Sequence, residues 1–282
     1  MDQPVAPPEG LRRLSTVPPL PDYVRSLWQR REFALAMARG EFRSKHLNTV
    51  LGGFWNVLNP LLLVGVYWLI FGVLLGVDRG VDNFIGFLAV GIFTYQFSQR
   101  SFLSGANSIA NNLGLIRSLQ FPRALLPISA VLKEAYSLRS ASIVMITIIL
   151  VTGEGITWYW LLAPIPLLLQ FLFNLGGALV VARLADRVRD VAQILPFLFR
   201  LMFYISGVLF LVDRFVTDPA IKALFVINPF YSFLSLVREQ LMTSIEHEGV
   251  GWMWLSVSAW TVASLVIGLT FFRAGERSYG RG

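Results

Sequence analysis

The sequence predicts an all-α membrane protein with six transmembrane helices, an N-terminal amphipathic interface helix and outer re-entrant half-helices. Three observations carry that prediction. Of 282 residues, 55% are hydrophobic and only 15% charged, against about 25% charged in a soluble domain. Six runs are long and apolar enough to cross a bilayer core, which takes roughly 20 helical residues. Positive charge is also divided unevenly among the segments that join them.

The six runs lie near Phe54–Gly76, Phe84–Gly105, Leu125–Val151, Trp158–Ala182, Gln193–Val212 and Trp252–Phe272. An even number places both termini on one side. With the N-terminus inside, the inner segments hold 16 Arg and Lys, the outer segments four (Arg79, Arg214, Lys222, Arg238) and the spans four. That bias predicts cytosolic termini by the positive-inside rule. The net charge of +7 is thereby spread over several short inner segments, not gathered on one soluble face, which excludes nucleic acid as a partner.

Residues 1–21 are rich in proline and lack an apolar centre, so they predict a disordered cytosolic tail, neither signal peptide nor span. Asp22, just after Pro21, is the expected N-cap of the next helix. Val24, Leu27, Trp28, Ala34, Leu35 and Ala38 share one face of it, with Arg25, Arg30 and Arg39 largely off that face. Such a helix lies in the headgroup plane, although Arg31 interrupts the stripe and a solvated cytosolic helix is the alternative. The chain then meets "LGGFWNVLNP". Gly52-Gly53 allows the backbone to turn, Trp55 suits the interface, and Pro60 falls in the first turns of a span, where lost hydrogen bonds cost least. The stretch reads as an elbow delivering a basic arm into the membrane. A G-x-x-x-G pair, Gly72 and Gly76, offers a weak site for close helix contact.

Two connections are more than linkers. The inner one after the second span, "ANSIANNLGLIRSLQFPRALLP", carries Asn107, Asn111 and Asn112, which favour caps and turns, and "LGLIRSL" forms a short exposed helix. It reads as a docking element for a cytosolic partner, with a plain loop as the alternative. The outer connection from Asp213 to Gly251 holds two helical pieces split at Asn228-Pro229. Phe230, Phe233, Leu234, Val237 and Leu241 follow apolar helical spacing. Half-helices at membrane depth are tolerated where protein buries them or water lines them, so a re-entrant pair capping an outer gate is expected. An interfacial helix lying flat is the alternative.

The residues offer no catalytic constellation. No glycine-rich lead-in precedes Lys45, Lys133 or Lys222, so the chain lacks the backbone cradle that holds ATP phosphates. There is no HExxH and no nucleophile elbow. Absence of cysteine excludes disulfides and thiolate sites. His46 and His247 are far apart, on opposite sides of the membrane. Within the spans, Arg100, Lys133, Glu134, Arg139 and Arg200 must face protein, water or the headgroups. Lys133 and Glu134, adjacent on a helix, do not simply pair, so Glu134 is expected to meet Arg100 or Arg139. In the fifth span, Phe199, Arg200, Phe203, Gly207 and Phe210 form a stripe that either lines a pore or packs on neighbouring helices. Aromatic faces stack on sugars and an arginine attracts phosphate.

Taken in order, "LGGFWNVLNPLLLVGVYWLIFG", "IRSLQFPRALLPISAVL", "ARLADRVRDVAQILPFLFRLMFYISGVLF" and "INPFYSFLSLVREQL" resemble the membrane permease of the type-2 ABC exporters for lipid-linked polysaccharide, the Wzm-type and teichoic acid exporters. The likeness covers about residues 22–275. It implies a homodimer of six-span chains in the bacterial plasma membrane, bound to two copies of a cytosolic ABC ATPase and exporting an undecaprenyl-linked glycan. It implies no cofactor in this chain, since ATP and Mg bind the ATPase. Residues 276–282 form a C-terminal cytosolic tail. The ATPase contacts it implies are Arg25, Trp28, Arg31, Asn111, Leu115, Arg117, Phe121 and Arg123. Phe199, Arg200, Phe203 and Phe210 line the channel, and Phe230, Tyr231 and Phe233 form the outer gate. Arg183, Arg189 and Asp190 match an Arg-x-x-Asp-type inner loop. Where the family often has Ser-Pro after the fifth span, this chain has Ser206-Gly207.

With 21 Arg to three Lys, the composition fits a GC-rich genome, which makes an actinobacterial galactan exporter one member of interest. No residue specifies the sugar. Alternatives are a type-2 ABC permease for a drug or small lipid and a proton-coupled carrier, for which Glu134 is the sole span carboxylate. A glycan transferase would need clustered carboxylates, and Asp213, Asp218, Glu246 and Glu248 are scattered through loops.

Overall fold

The computed structural model describes residues 19–47, 54–74, 81–245, 249–276 and 279, and among these all regular structure is helical. The Gly52-Gly53 elbow, Gly76, Arg79, Glu246, His247 and Glu248 lie outside the described residues, as do the 1–18 tail, Arg277 and Arg281.

In chain order the helices are α1 (Leu20–Gln29), α2 (Arg31–Leu47), α3 (Trp55–Tyr67, continued by a π-helical turn Trp68–Leu74), α4 (Phe84–Asn107), α5 (Leu113–Ser118, after a 3-10 turn Ala110–Asn112) and α6 (Leu125–Val151). A 3-10 turn Trp158–Leu161 leads to α7 (Pro164–Arg187), followed by α8 (Asp190–Ile205), α9 (Val212–Phe215), α10 (Pro219–Ile227), α11 (Pro229–Leu241) and α12 (Val250–Ala274).

Among the described residues four stretches are long and apolar enough to cross a membrane: Val57–Leu74, Leu125–Val151, Trp158–Arg187 and Val250–Ala274. Helices α10 and α11, bent by 92° at Asn228, make a fifth if counted as one broken span. The two other predicted spans fall short for different reasons. Helix α4 has 24 residues, but Gln96, Ser98, Gln99, Arg100, Ser101 and Ser104 crowd its second half and lower its mean hydropathy. Helix α8 has 16 residues, about 24 Å at 1.5 Å each, and stops where Gly207 turns to φ +64. A left-handed glycine just past the last turn is a standard helix stop, so Gly207 ends this helix.

Helix α4 is the axis of the bundle. It packs against α3, α6, α7, α8 and α11, and Gly86 through Tyr95 are buried without interruption. Part of its polar surface is bonded inside the protein: Gln170 Nε2 donates to Thr94 O at 2.9 Å and Ser98 Oγ at 2.8 Å. Such bonds replace the water that a bilayer cannot supply.

Small residues bring α4, α7 and α12 together. A Cβ on Gly105 would lie 2.6 Å from Ala178 Cβ, one on Gly177 would collide with the Phe102 ring, and one on Gly268 would collide with the Gly176 carbonyl. With no hydrophobic force between helices in lipid, close backbone approach supplies the packing. The contact surface is therefore on α7 and α12. At Gly72, the predicted site, the nearest groups are the ring of Trp68 on its own helix, and Phe84 at 3.8 Å.

Candidate functional site

One end of the bundle gathers α1, α2, α5 and the C-terminal residues. Helix α1 begins at Leu20, not at Asp22. Pro21 fits the first turn, where its missing N–H costs nothing, and Asp22 sits inside that turn beside the positive end of the dipole. The helix pair breaks at Arg30. Its buried face is Tyr23, Leu27, Ala34 and Ala38, whereas Val24 (43%) and Trp28 (69%) are exposed, so the predicted stripe is split between protein and surroundings. Tyr23, Leu27 and Ala34 join Ile116, Leu125, Leu179, Phe272 and Tyr279 in one apolar cluster.

Glu276 holds this end together. Its Oε2 accepts from Tyr23 Oη at 2.6 Å, its Oε1 from Arg123 N at 2.7 Å, and its carbonyl from Arg123 Nη1 at 2.6 Å. Burial pushes its carboxyl above the usual range, against the opposing pull of Tyr23 and Arg123. Burial and the Glu276 charge push Tyr23 up. Tyr279 donates to Phe272 O at 2.7 Å and stacks on that ring, so the packed body continues past 275.

The residues expected to meet an ATPase divide into two groups. Arg25, Trp28, Arg31, Asn111 and Arg117 are exposed, with Arg31 over the Trp28 ring at 5.1 Å. Leu115, Phe121 and Arg123 are half-buried. Phe121 packs against Phe33 with centroids 5.2 Å apart, and Arg123 is engaged by Glu276. Arg30 donates to Gln120 O at 2.9 Å, tying α1 to the residues after α5.

The fifth-span stripe does not persist as drawn. Phe199 and Phe203 are buried, Arg200 is exposed one helical step away, and Phe210 lies beyond the Gly207 break. Phe199 and Phe203 pack edge-on against Tyr95, whose hydroxyl donates to Phe199 O. Phe102, Phe173 and Phe230 complete this aromatic core. Of the expected gate residues, Phe230 is half-buried, while Tyr231 and Phe233 are buried.

The half-helices are capped as their sequence requires. Asp218 Oδ1 accepts from Ala220 N at 2.8 Å at the start of α10. At the bend, Asn228 Oδ1 accepts from Phe230 N at 3.0 Å, and its Nδ2 donates to Ser206 Oγ at 3.0 Å. Helix α11 is buried on every side from Tyr231 to Arg238, more than the single apolar face its spacing predicts. Arg238, counted in the sequence among outer loop charges, is 1% exposed. It donates to Gly207 O at 2.7 Å, Val208 O at 2.8 Å and Phe87 O at 3.1 Å, with its guanidinium 3.4 Å from the Phe87 ring centroid. At the same end Glu154 accepts from Thr243 N and Oγ1 (2.8 Å each), Ser244 Oγ (2.6 Å) and Asn83 Nδ2 (3.3 Å). Burial raises its carboxyl, but those bonds outweigh it and hold it below its ordinary value.

The span charges correct one expectation. Lys133 Nζ lies 3.2 Å from Glu41 Oε2 and 3.8 Å from Glu134 Oε1, so it bridges α2 and α6 and also reaches its neighbour in sequence. Glu134, 4% exposed, also accepts from Ser104 Oγ at 2.8 Å. Arg139 is exposed. Arg100 donates to Gln96 Oε1 at 2.6 Å and lines the same small cavity as Glu134. Among the described residues no group of three or more His, Cys, Asp or Glu could hold a metal.

The family model for ABC-2 type transporters aligns with residues 33–242, most of the chain. The chain belongs to the ABC-2 type transporter family. Relatives named O-antigen export system permease protein RfbA are similar over most of their lengths. One from Myxococcus xanthus is 27% identical over 212 residues, 75% of this chain and 81% of its own. Two from Klebsiella pneumoniae are 24% identical over 239 and 246 residues, covering 84% and 86% of this chain and 90% and 91% of theirs.

The residues that organise this ABC-2 transporter chain most tightly, Arg238, Glu276 and Glu154, were not singled out by sequence. A charge within three residues of a helix end reads as a solvated surface group. For Arg238 a signal was present: Phe233, Leu234, Val237 and Leu241 surround it on an apolar helix, a costly place for an unpartnered arginine.

Proposed function

We propose that this chain is the membrane permease subunit of an ABC exporter that moves a lipid-linked polysaccharide from the cytosol across the bacterial plasma membrane. The observation that carries this is the end-to-end likeness to O-antigen export permeases, which spans 75–86% of this chain and 81–91% of theirs. In this reading the permease domain is residues 22–275, α3, α4, α6, α7, α8 and α12 are the six crossings, and α10 and α11 are the outer re-entrant pair. Both termini are cytosolic. Two chains form the passage, and two copies of a separate ATPase supply ATP hydrolysis, with ATP and Mg bound there. The exposed Arg25, Trp28, Arg31, Asn111 and Arg117 face the ATPase. The apolar surface of α3 and α8 faces the second copy, with Arg200 among its exposed groups.

The test is reconstitution. The purified chain should bring down an ABC ATPase from its native membrane. Proteoliposomes holding both subunits should move undecaprenyl-linked glycan only with ATP, and lose that movement when either subunit is omitted. Glycan movement or ATP hydrolysis by this chain alone would overturn the proposal.

A further inference from the structure

A cavity of about 730 Å³ lies between α10 and α12. Its walls are Ala223, Val226 and Ile227 on one side and Leu255, Ala259 and Trp260 on the other. Helix α10 is fastened to α12 at its C-terminal end alone among the hydrogen bonds described, through Ser256 Oγ to Val226 O and Trp260 Nε1 to Ile227 O, each 2.7 Å. Ahead of those two bonds the helices part. Ile227 on α10, and Trp252 and Leu255 on α12, are well exposed around the opening, so the space opens on the apolar surface of a helix long enough to cross a membrane. The charged side chains lining it are Asp213 and Lys222, paired at 3.6 Å.

We propose that this cavity binds a phospholipid of the surrounding bilayer, with an acyl chain between α10 and α12 and a zwitterionic ethanolamine headgroup at the Asp213–Lys222 pair. An apolar cavity of this size excludes water, which needs several polar partners, and an empty one forfeits dispersion contacts along both walls. An acyl chain restores those contacts without hydrogen-bond requirements. The ion pair selects the headgroup. One carboxylate beside one ammonium matches the ammonium and phosphate of a zwitterion, whereas an anionic headgroup draws on Lys222 and offers no cation to Asp213 in return. The bound chain then fills the space behind α10 and fixes its angle to α12. This inference rests on the membrane reading of α12 alone, and holds whatever the cargo and whether or not an ATPase is present.

The experiment uses the full-length chain in nanodiscs containing phosphatidylethanolamine with a photoactivatable diazirine in one acyl chain, with labelled peptides mapped by mass spectrometry. Peptides covering 219–227 and 252–263 should be labelled severalfold more than the exposed face of α6 around Ile143. Ala259→Trp and, on the opposite wall, Ala223→Phe should each reduce that labelling severalfold while leaving the Ile143 face unchanged. Diazirine phosphatidylglycerol should label the cavity less than phosphatidylethanolamine, and the double variant Asp213→Asn/Lys222→Gln should remove the difference. Uniform labelling of all faces, insensitivity to both filling variants, or equal labelling by the two lipids in the unaltered protein would each overturn the proposal. Preferential displacement of the probe by undecaprenyl phosphate would assign the cavity to the polyprenyl tail, and crosslinking of the cavity walls to a second copy would assign it to a protein interface. Either result overturns it.

Discussion

Replacing Arg238 by Met should loosen the buried half-helix from the rest of the bundle. The guanidinium is 1% exposed, and the carbonyls of Gly207 and Val208 receive their described hydrogen bonds from it alone. Each buried carbonyl left without a donor costs about 1–3 kcal/mol, so two cost about 2–6 kcal/mol. Relief from burying a charge offsets about 1–2 kcal/mol of this, leaving about 1–4 kcal/mol of lost stability. Gly91 provides an independent handle. A Cβ there would strike the guanidinium, 3.1 Å from Cζ, and lie 3.2 Å from Val208 O, so Gly91→Ala displaces Arg238 without altering it. In the Arg238→Met background the guanidinium contact is gone, and the nearest remaining group described, Val208 O at 3.2 Å, needs a shift of only about a few tenths of an ångström. The double variant should therefore be more stable than the sum of the singles implies, by more than about 1 kcal/mol. Denaturation in mixed micelles gives the energies, and spin labels on α8 and α11 report whether their separation changes. Additivity within about 0.5 kcal/mol, or an Arg238→Met protein as stable as the unaltered one, would refute the reasoning.

At the other end, Tyr23→Phe removes a bond to a buried carboxyl and should cost about 1–3 kcal/mol, read as faster amide exchange in α1. Because burial raises the Glu276 pKa above 4.5, its contribution is full below that value and lost as pH rises through the raised one; Glu276→Gln should flatten the pH dependence of α1 exchange. Glu154 has the opposite sign: its pKa is lowered, so its contribution is present above about 4.5 and lost as pH falls through the lower value, and Glu154→Gln should abolish that acid-side loss in thermal unfolding. Gly268→Ala should separate α12 from α7 and destabilise by about 1–3 kcal/mol, while Gly65→Ala, whose Cβ meets nothing within 4 Å, should be neutral or slightly stabilising in the same assay. For the proposed coupling, Arg117→Ala alone and with Phe121→Ala should leave ATP hydrolysis by the assembled exporter running while glycan movement falls; export at the unaltered rate would count against that role. The single variant separates contact from packing, since Phe121 also rests on Phe33.

The positions of the helices were legible because period and length encode them. The run Leu125–Val151 is helix α6 at both ends, and Asn228-Pro229 marks the bend of the half-helices. Hydropathy was a weaker guide wherever a helix is surrounded by protein. Helix α4 carries the polar residues of an interior element, and apolarity alone understates it. Tertiary pairing was the illegible part. The contact of Glu276 with Tyr23 spans 253 positions, and nothing local distinguishes that glutamate from a tail residue. The aromatic stripe failed for a local reason, since the left-handed Gly207 removes Phe210 from the helix that carries Phe199 and Phe203.

The bundle is built unevenly, and that bears on how the proposed exporter moves. Helices α4, α7 and α12 approach at backbone distance through Gly105, Gly176 and Gly268, with Gln170, Ser264 and Thr261 bonding between them. Packing of that kind has few alternative arrangements, because any slide drives a carbonyl into a Cα. Helices α3 and α8 are held differently. They present Leu62, Val66 and Leu69, and Phe197, Leu201 and Tyr204, to the outside, and meet each other where the Tyr67 and Tyr204 hydroxyls lie 3.5 Å apart. Side chains, including the Tyr67–Phe203 stack, make the contact, and side chains repack at lower cost than backbones. Displacement driven from α5 should therefore leave the α4–α7–α12 block intact and appear as movement of α3 and α8. Spin-label distances between α7 and α12 should stay constant through an ATPase cycle while those between α3 and α8 change. A changing α7–α12 distance would place the moving parts elsewhere.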